Sequence, residues 1–227
     1  MPTPFSVTLD SGDTICALSY AAATSLALET TAILAHGAGA PQTHPFMTHF
    51  ARGLASRGLD VVTFNFLYME QCRRRPDPVD RLEACFRAVI DNTRRRMASV
   101  TPRLIVGGKS MGGRIASQVV AGGDNLTVVG LVFLVYPLHP LGRPDHPRSA
   151  HLPSINAPML FVQGSRDTFG TPAELRPVLT GCSNAELFVI GGDHSFKLRG
   201  KQTRSLDEVC ARAQDVIIAW VKQHIQP

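Results

Sequence analysis

Leu104-Ile105-Val106-Gly107-Gly108-Lys109-Ser110-Met111-Gly112-Gly113-Arg114-Ile115-Ala116 decides how the chain is read. An apolar run of strand type meets two glycines and presents one serine. It then continues through Ile115-Ala116-Ser117-Gln118-Val119-Val120, which has helical character. Gly108-x-Ser110-x-Gly112 has the spacing of a nucleophile elbow, a sharp strand-to-helix turn with an exposed hydroxyl. A serine on such a turn has a strained backbone. The positions two before and two after it lie where a side chain would strike the neighbouring strand or helix, so both are glycine. The following helix aims its amino end at the serine, so the Met111 N–H faces any oxyanion that develops there. Gly108-Lys109-Ser110 also matches the end of a phosphate-binding P-loop. That loop requires glycine at position 103, which is Arg103 on the strand, and nucleotide binding is rejected on that ground.

Working outward, Thr31-Ala32-Ile33-Leu34-Ala35 is a buried strand ending in His36-Gly37-Ala38-Gly39-Ala40. Small residues after a central strand let backbone N–H groups approach a ligand, and this loop is expected to supply the second oxyanion donor. The donor is assigned to Ala38, with Gly39 as the neighbouring alternative, and His36 is read as a structural residue below the loop. Helices are expected over Pro45–Arg57 (closed by Gly58), Val79–Met97, the elbow to about Ala121, Thr171–Leu179 and Ser205–Ile225. Strands are expected over residues 5–9, 14–20, Leu59–Phe64, from Pro102 into the elbow, Val128–Tyr136, Pro158–Gln163 and Ala185–Ile190. Ala21–Thr30 is a loose connection, and Asn65–Pro78 is an Arg-rich loop on the side that carries the site. Pro137–Pro153 lacks periodicity and is expected to form a short lid-like loop at the rim. Its histidines His139, His146 and His151 match no metal-binding spacing, and no metal is expected.

Strand and helix alternate from residue 31 onward, which predicts a doubly wound, mostly parallel sheet with helices on both faces, in one domain over residues 1–227. Functional groups then gather at the carboxyl ends of the strands. Ser110, Asp167 and His194 each fall just past such an end. In that arrangement Ser110 is the nucleophile, His194 takes and returns its proton, and Asp167 holds the imidazole tautomer. The Ala38 and Met111 N–H groups would bind the oxyanion, each worth about 3–4 kcal/mol. Asp193, Asp145 and Glu174 are rival acids. Asp193 adjoins His194, and sequence neighbours rarely bring a carboxylate to the far ring nitrogen.

These stretches resemble the α/β-hydrolase superfamily, in the small dienelactone-hydrolase-like branch that includes relatives of testis-expressed protein 30 and NSL-complex subunit 3. The resemblance rests on His36-Gly37-Ala38-Gly39, Gly107–Arg114, Tyr136-Pro137-Leu138-His139-Pro140, Gly164–Gly170 and Gly192-Asp193-His194-Ser195-Phe196. It implies the same Ser110, Asp167 and His194 in the same roles. Dienelactone hydrolases themselves use a cysteine nucleophile, where this chain has Ser110. Fold membership does not choose a reaction. The expected function is a serine hydrolase for esters or thioesters of small acyl substrates, with no cofactor. The alternative is a non-catalytic protein-binding module on the same fold.

Length and composition fit this reading. The chain has 227 residues, 44% hydrophobic and 18% charged, ordinary values for a globular protein with a substantial core. No run reaches the roughly 18 apolar residues of a membrane span, and the start has no signal-like core. The five cysteines, Cys16, Cys72, Cys85, Cys182 and Cys210, are odd in number and show no paired spacing, which points to a reducing cytoplasm. The net charge of +5 comes largely from arginine, with clusters at Arg73–Arg75 and Arg94–Arg96. No aromatic residues interleave with them, so no nucleic acid is expected as a partner. Arg143, Arg148 and the Arg73–Arg75 cluster would instead suit an acidic substrate.

Overall fold

The computed structural model describes residues 1–97, 103–123, 126–200 and 205–226. Its strands are β1 (Thr3–Thr8), β2 (Thr14–Tyr20), β3 (Thr30–Ala35), β4 (Asp60–Phe64), β5 (Arg103–Lys109), β6 (Gly130–Leu134), β7 (Met159–Gly164) and β8 (Ala185–Ile190). The helices are α1 (Pro45–Ala55), α2 (Leu67–Glu70), α3 (Val79–Met97), α4 (Met111–Ala121), α5 (Pro172–Leu179) and α6 (Leu206–His224). The strands form one sheet in the order β1-β2-β4-β3-β5-β6-β7-β8. Only the pairings of β2, with β1 and with β4, are antiparallel. The other strand pairs are parallel. No helix among the described residues is long and apolar enough to cross a membrane.

The central strands are mostly apolar because both faces are covered. Leu104, Val106, Leu131 and Phe133 point to one side and pack with Phe86, Val89, Ile115, Val119 and Leu175 of α3, α4 and α5. Ile105, Val132 and Leu134 alternate to the other side and pack with Phe50, Leu54, Ile217 and Val221 of α1 and α6. Each fully buried side chain of this size stabilises the fold by about 1.5–3 kcal/mol.

Several boundaries differ from the sequence expectations for local reasons. Helix α1 ends at Ala55, short of Arg57, because the chain tightens: the Arg57 and Gly58 N–H groups donate three residues back, to Leu54 and Ala55. Strand β6 stops at Leu134 because Val135 takes a positive φ of 53°, which is rare for a β-branched residue. The Asn65–Pro78 loop contains a helix, α2, too short for periodicity to show. The Ala21–Thr30 connection holds a single 3-10 turn at Thr24–Leu26. The first strand is residues 3–8, not 5–9. The expected start of β5 at Pro102 lies outside the described residues.

Candidate active site

Ser110 sits between β5 and α4 with φ 51° and ψ −118°, a strained region for a residue with a side chain. Backbone on both sides holds it there. Its N–H donates to Leu134 O at 2.9 Å, and its own carbonyl accepts from the Arg114 N–H at 3.1 Å. The flanking glycines are where β3 comes closest. A Cβ on Gly108 would lie 2.2 Å from Ala35 O, and one on Gly112 would lie 2.4 Å from the same atom. The two required glycines thus make way for one carbonyl of β3.

The loops after β7 and β8 bring two further side chains to this point. His194 Nε2 lies 2.8 Å from Ser110 Oγ. His194 Nδ1 lies 2.9 and 2.8 Å from the two carboxylate oxygens of Asp167. Asp167 is fully buried and also accepts from the Phe169 N–H and from Gln163 Nε2, both at 2.9 Å. The Phe169 ring lies against the imidazole, centroids 4.4 Å apart. The rival acids are engaged elsewhere. Asp193 Oδ1 accepts from the Ser195 and Lys197 N–H groups and shapes its own turn. Glu174 closes the capping box of α5 with Thr171. Asp145 pairs with His146 on the surface.

The loop after β3 is fixed by two side chains. His36 is fully buried, and its Nε2 accepts from the Phe66 N–H at 3.2 Å. The proton is therefore on Nδ1, which donates to Gly37 O at 2.7 Å. Gly37 C=O and the Ala38 N–H belong to one planar trans peptide and point in opposite directions. Tying down the carbonyl on His36 therefore aims the Ala38 N–H away from His36. The Tyr68 hydroxyl of α2 donates to Ala38 O at 2.9 Å and fixes the next peptide in the same way. Met111 opens α4, so its N–H has no partner within the helix. Ala38 and Met111 line one cleft together with Ser110 and His194.

Burial lowers the His36 pKa from 6.5 to about 4, so the imidazole stays neutral. The unfolded chain takes up this proton below about pH 6.5 and the folded chain only below about pH 4. Between those values the unfolded state binds more protons, so stability falls as the pH falls. The share from this group reaches about 3 kcal/mol. We expect His36→Asn, which removes the titrating ring, to lose correspondingly less stability than wild type between neutral and acid pH. Urea unfolding midpoints followed across that range measure the difference.

The cleft has a volume of about 550 Å³, and its walls include Lys109, Arg114, Pro137, Arg148 and Phe169. Segment 137–153 forms one edge and is tied down. Tyr136 donates to Arg148 O at 2.8 Å, and His151 Nε2 meets Ser117 Oγ of α4 at 2.7 Å. The three histidines of the segment go separate ways: His139 to Pro140 O and Glu174, His146 to Asp145, and His151 to Ser117. Sequence reading missed two supporting residues. Tyr68 lay in an expected loop. Gln163 lay inside a strand, yet its buried amide joins Asp167, Gly170 O and the backbone of Tyr136.

An eight-stranded, mostly parallel sheet with a strained serine at the end of a central strand defines an α/β-hydrolase fold. Residues 28–222 match the model of the alpha/beta hydrolase domain family, and the chain belongs to that family. Solved structures of the same fold include an α/β serine hydrolase without lid from Xanthomonas campestris. It is 22% identical, with 96% of this chain and 94% of that one covered and a TM-score of 0.75. Est1E from Butyrivibrio proteoclasticus is 12% identical, with 99% of both chains covered and a TM-score of 0.76. A dienelactone hydrolase from Anabaena variabilis is 18% identical, with 98% of both chains covered and a TM-score of 0.71.

Proposed function

We propose that this protein is a serine hydrolase that cleaves carboxylic esters or thioesters of small acyl groups through an acyl-enzyme. The observation that carries the reading is the hydrogen-bonded line from Asp167 through His194 to Ser110, opening on the cleft. Ser110 Oγ attacks the carbonyl carbon while His194 Nε2 takes its proton. The carbonyl oxygen becomes an oxyanion between the Ala38 and Met111 N–H groups. The bond to the alcohol or thiol breaks, and the leaving group departs with the proton from His194. Water then enters, gives a proton to His194 and attacks the acyl carbon. Release of the acid returns that proton to Ser110. Asp167 keeps the Nδ1 proton in place and stabilises the imidazolium.

The reading takes the chain as one unit over residues 1–227, with segment 137–153 as a rim and a dissolved small molecule as substrate. A cytoplasmic setting is supported by the five free cysteines. Within the family, kinship with testis-expressed protein 30 and NSL-complex subunit 3 relatives is supported by the Gly107–Arg114 stretch.

The test is labelling with a fluorophosphonate probe, followed by intact mass, on wild type and Ser110→Ala together. We expect one adduct on wild type and none on the variant. A folded wild type that takes no adduct overturns the catalytic reading and favours a binding module on the same fold.

A further inference from the structure

Arg114 and Arg148 reach the cleft from different elements, and neither has an acidic partner among the described residues. Arg114 lies one turn into α4, the fourth residue after Ser110, and its N–H donates to the Ser110 carbonyl at 3.1 Å. Its Nη1 donates to Gln118 Oε1 at 2.9 Å, while its Nε is buried without a hydrogen bond. Arg148 is held by its backbone: its N–H donates to Leu138 O, and its carbonyl accepts from Tyr136. Its side chain projects from that fixed point into the wall of the cleft.

The charges around the pair are one-sided. Burial lowers the Arg114 pKa, and the nearby Arg148 lowers it further. The charge of Arg114 also helps lower the pKa of His151, beyond the effect of burial. Lys109 adds a third cation to the lining. Among the described residues no carboxylate comes within ion-pair distance of either guanidinium. Asp77 lines the cleft but is taken by Arg73 at 2.6 Å and by the Tyr68 N–H. Glu83 acts on Arg114 only from a distance. Of the arginines expected to suit an acidic substrate, Arg148 lines the cleft, Arg143 does not and Arg73 is already paired with Asp77, and Arg114 joins Arg148 at the wall.

We infer that Arg114 and Arg148 form an anion subsite, and that the preferred substrate is an ester or thioester carrying a carboxylate or phosphate a few atoms from the scissile carbonyl. This rests on the hydrolase reading above. Two guanidiniums beside a nucleophile grip such a group by charge-assisted, forked hydrogen bonds and thereby set where the carbonyl lies over Ser110. A neutral ester of the same length would leave them without a partner.

The experiment compares kcat/KM for esters matched in length. One pair carries the charge on the acyl side, p-nitrophenyl hydrogen glutarate against p-nitrophenyl pentanoate. The other carries it on the leaving group, a carboxyphenyl pentanoate against its methyl ester. We expect a preference for the anion of about tenfold or more in at least one pair, and a loss of about tenfold of that preference in Arg148→Gln, the effect of one hydrogen bond to a charged group. Arg114→Lys retains charge without the fork and should fall in between. Inhibition by glutarate against inorganic phosphate tells a carboxylate site from a phosphoryl one. A merely structural role would lower both members of a pair alike and leave their ratio unchanged. Equal turnover of charged and neutral esters, or a preference that survives both substitutions, overturns the subsite and leaves the hydrolase standing. No turnover of any ester, with no probe adduct, overturns the hydrolase reading and the subsite with it.

Discussion

Ser110→Ala should lower ester turnover by about a million-fold while leaving the fold intact. On the proposed mechanism the loss is large because no other group would stand in for the Ser110 hydroxyl, and only the cleft and the backbone donors would remain to assist water. The fold should survive for reasons visible at the elbow. The Ser110 side chain makes no capping hydrogen bond to α4, and its backbone is held by Leu134 O and the Arg114 N–H. Alanine has the same Cβ and adopts φ 51° at a cost comparable to that of serine. The hydroxyl's contact with His194 is lost, and its absence should change stability by no more than about 0.5 kcal/mol. Steady-state kinetics and a thermal melt on the same sample check both halves. Undiminished turnover would mean that the reaction does not pass through Ser110.

Asp167→Asn should lower turnover by about 10,000-fold, and unlike the serine variant it should also destabilise the protein. Both carboxylate oxygens of Asp167 face donors, Phe169 N–H on one and Gln163 Nε2 on the other, while His194 Nδ1 spans the two. An asparagine can offer only one oxygen. Wherever its NH₂ is placed, it meets an N–H that had an acceptor before, at a cost of about 1–3 kcal/mol for a buried donor left unpaired. An NH₂ turned toward His194 would also favour the tautomer with its proton on Nε2, which cannot accept a proton from Ser110. Reduced kcat with a lowered melting temperature is the expected signature. Full activity would show that Asp167 does not orient the imidazole.

What the sequence made legible was what neighbouring residues determine. The elbow is a local contract between two glycines and one serine, and the strand and helix around it are written in apolar periodicity. The positions of Asp167 and His194 followed because both come shortly after the ends of parallel strands, and in a parallel sheet those ends converge. What stayed hidden depends on distant partners. Gln163 occupies an apolar strand and shows nothing of the Asp167 carboxylate it faces. Tyr68 reaches Ala38 across thirty positions from a helix of four residues, which has no room for a pattern. Arg114 looked like the end of a motif, and only the fold brings Arg148 to the same wall. Val135 reads as the last part of a strand, and its positive φ has no sequence signal at all.

The ties from Tyr136 to Arg148 and from Ser117 to His151 have a consequence for how such a pocket would meet its substrate. The edge of the cleft is stitched to the helix that begins just after Ser110, so its width is set before anything arrives. A flap that swings aside at an oil droplet would give an enzyme a threshold, silent in water and active at a lipid surface. A hemmed pocket has no such threshold. Its rate would follow the concentration of freely dissolved ester and saturate smoothly, and its choice among esters would lie in their size and charge.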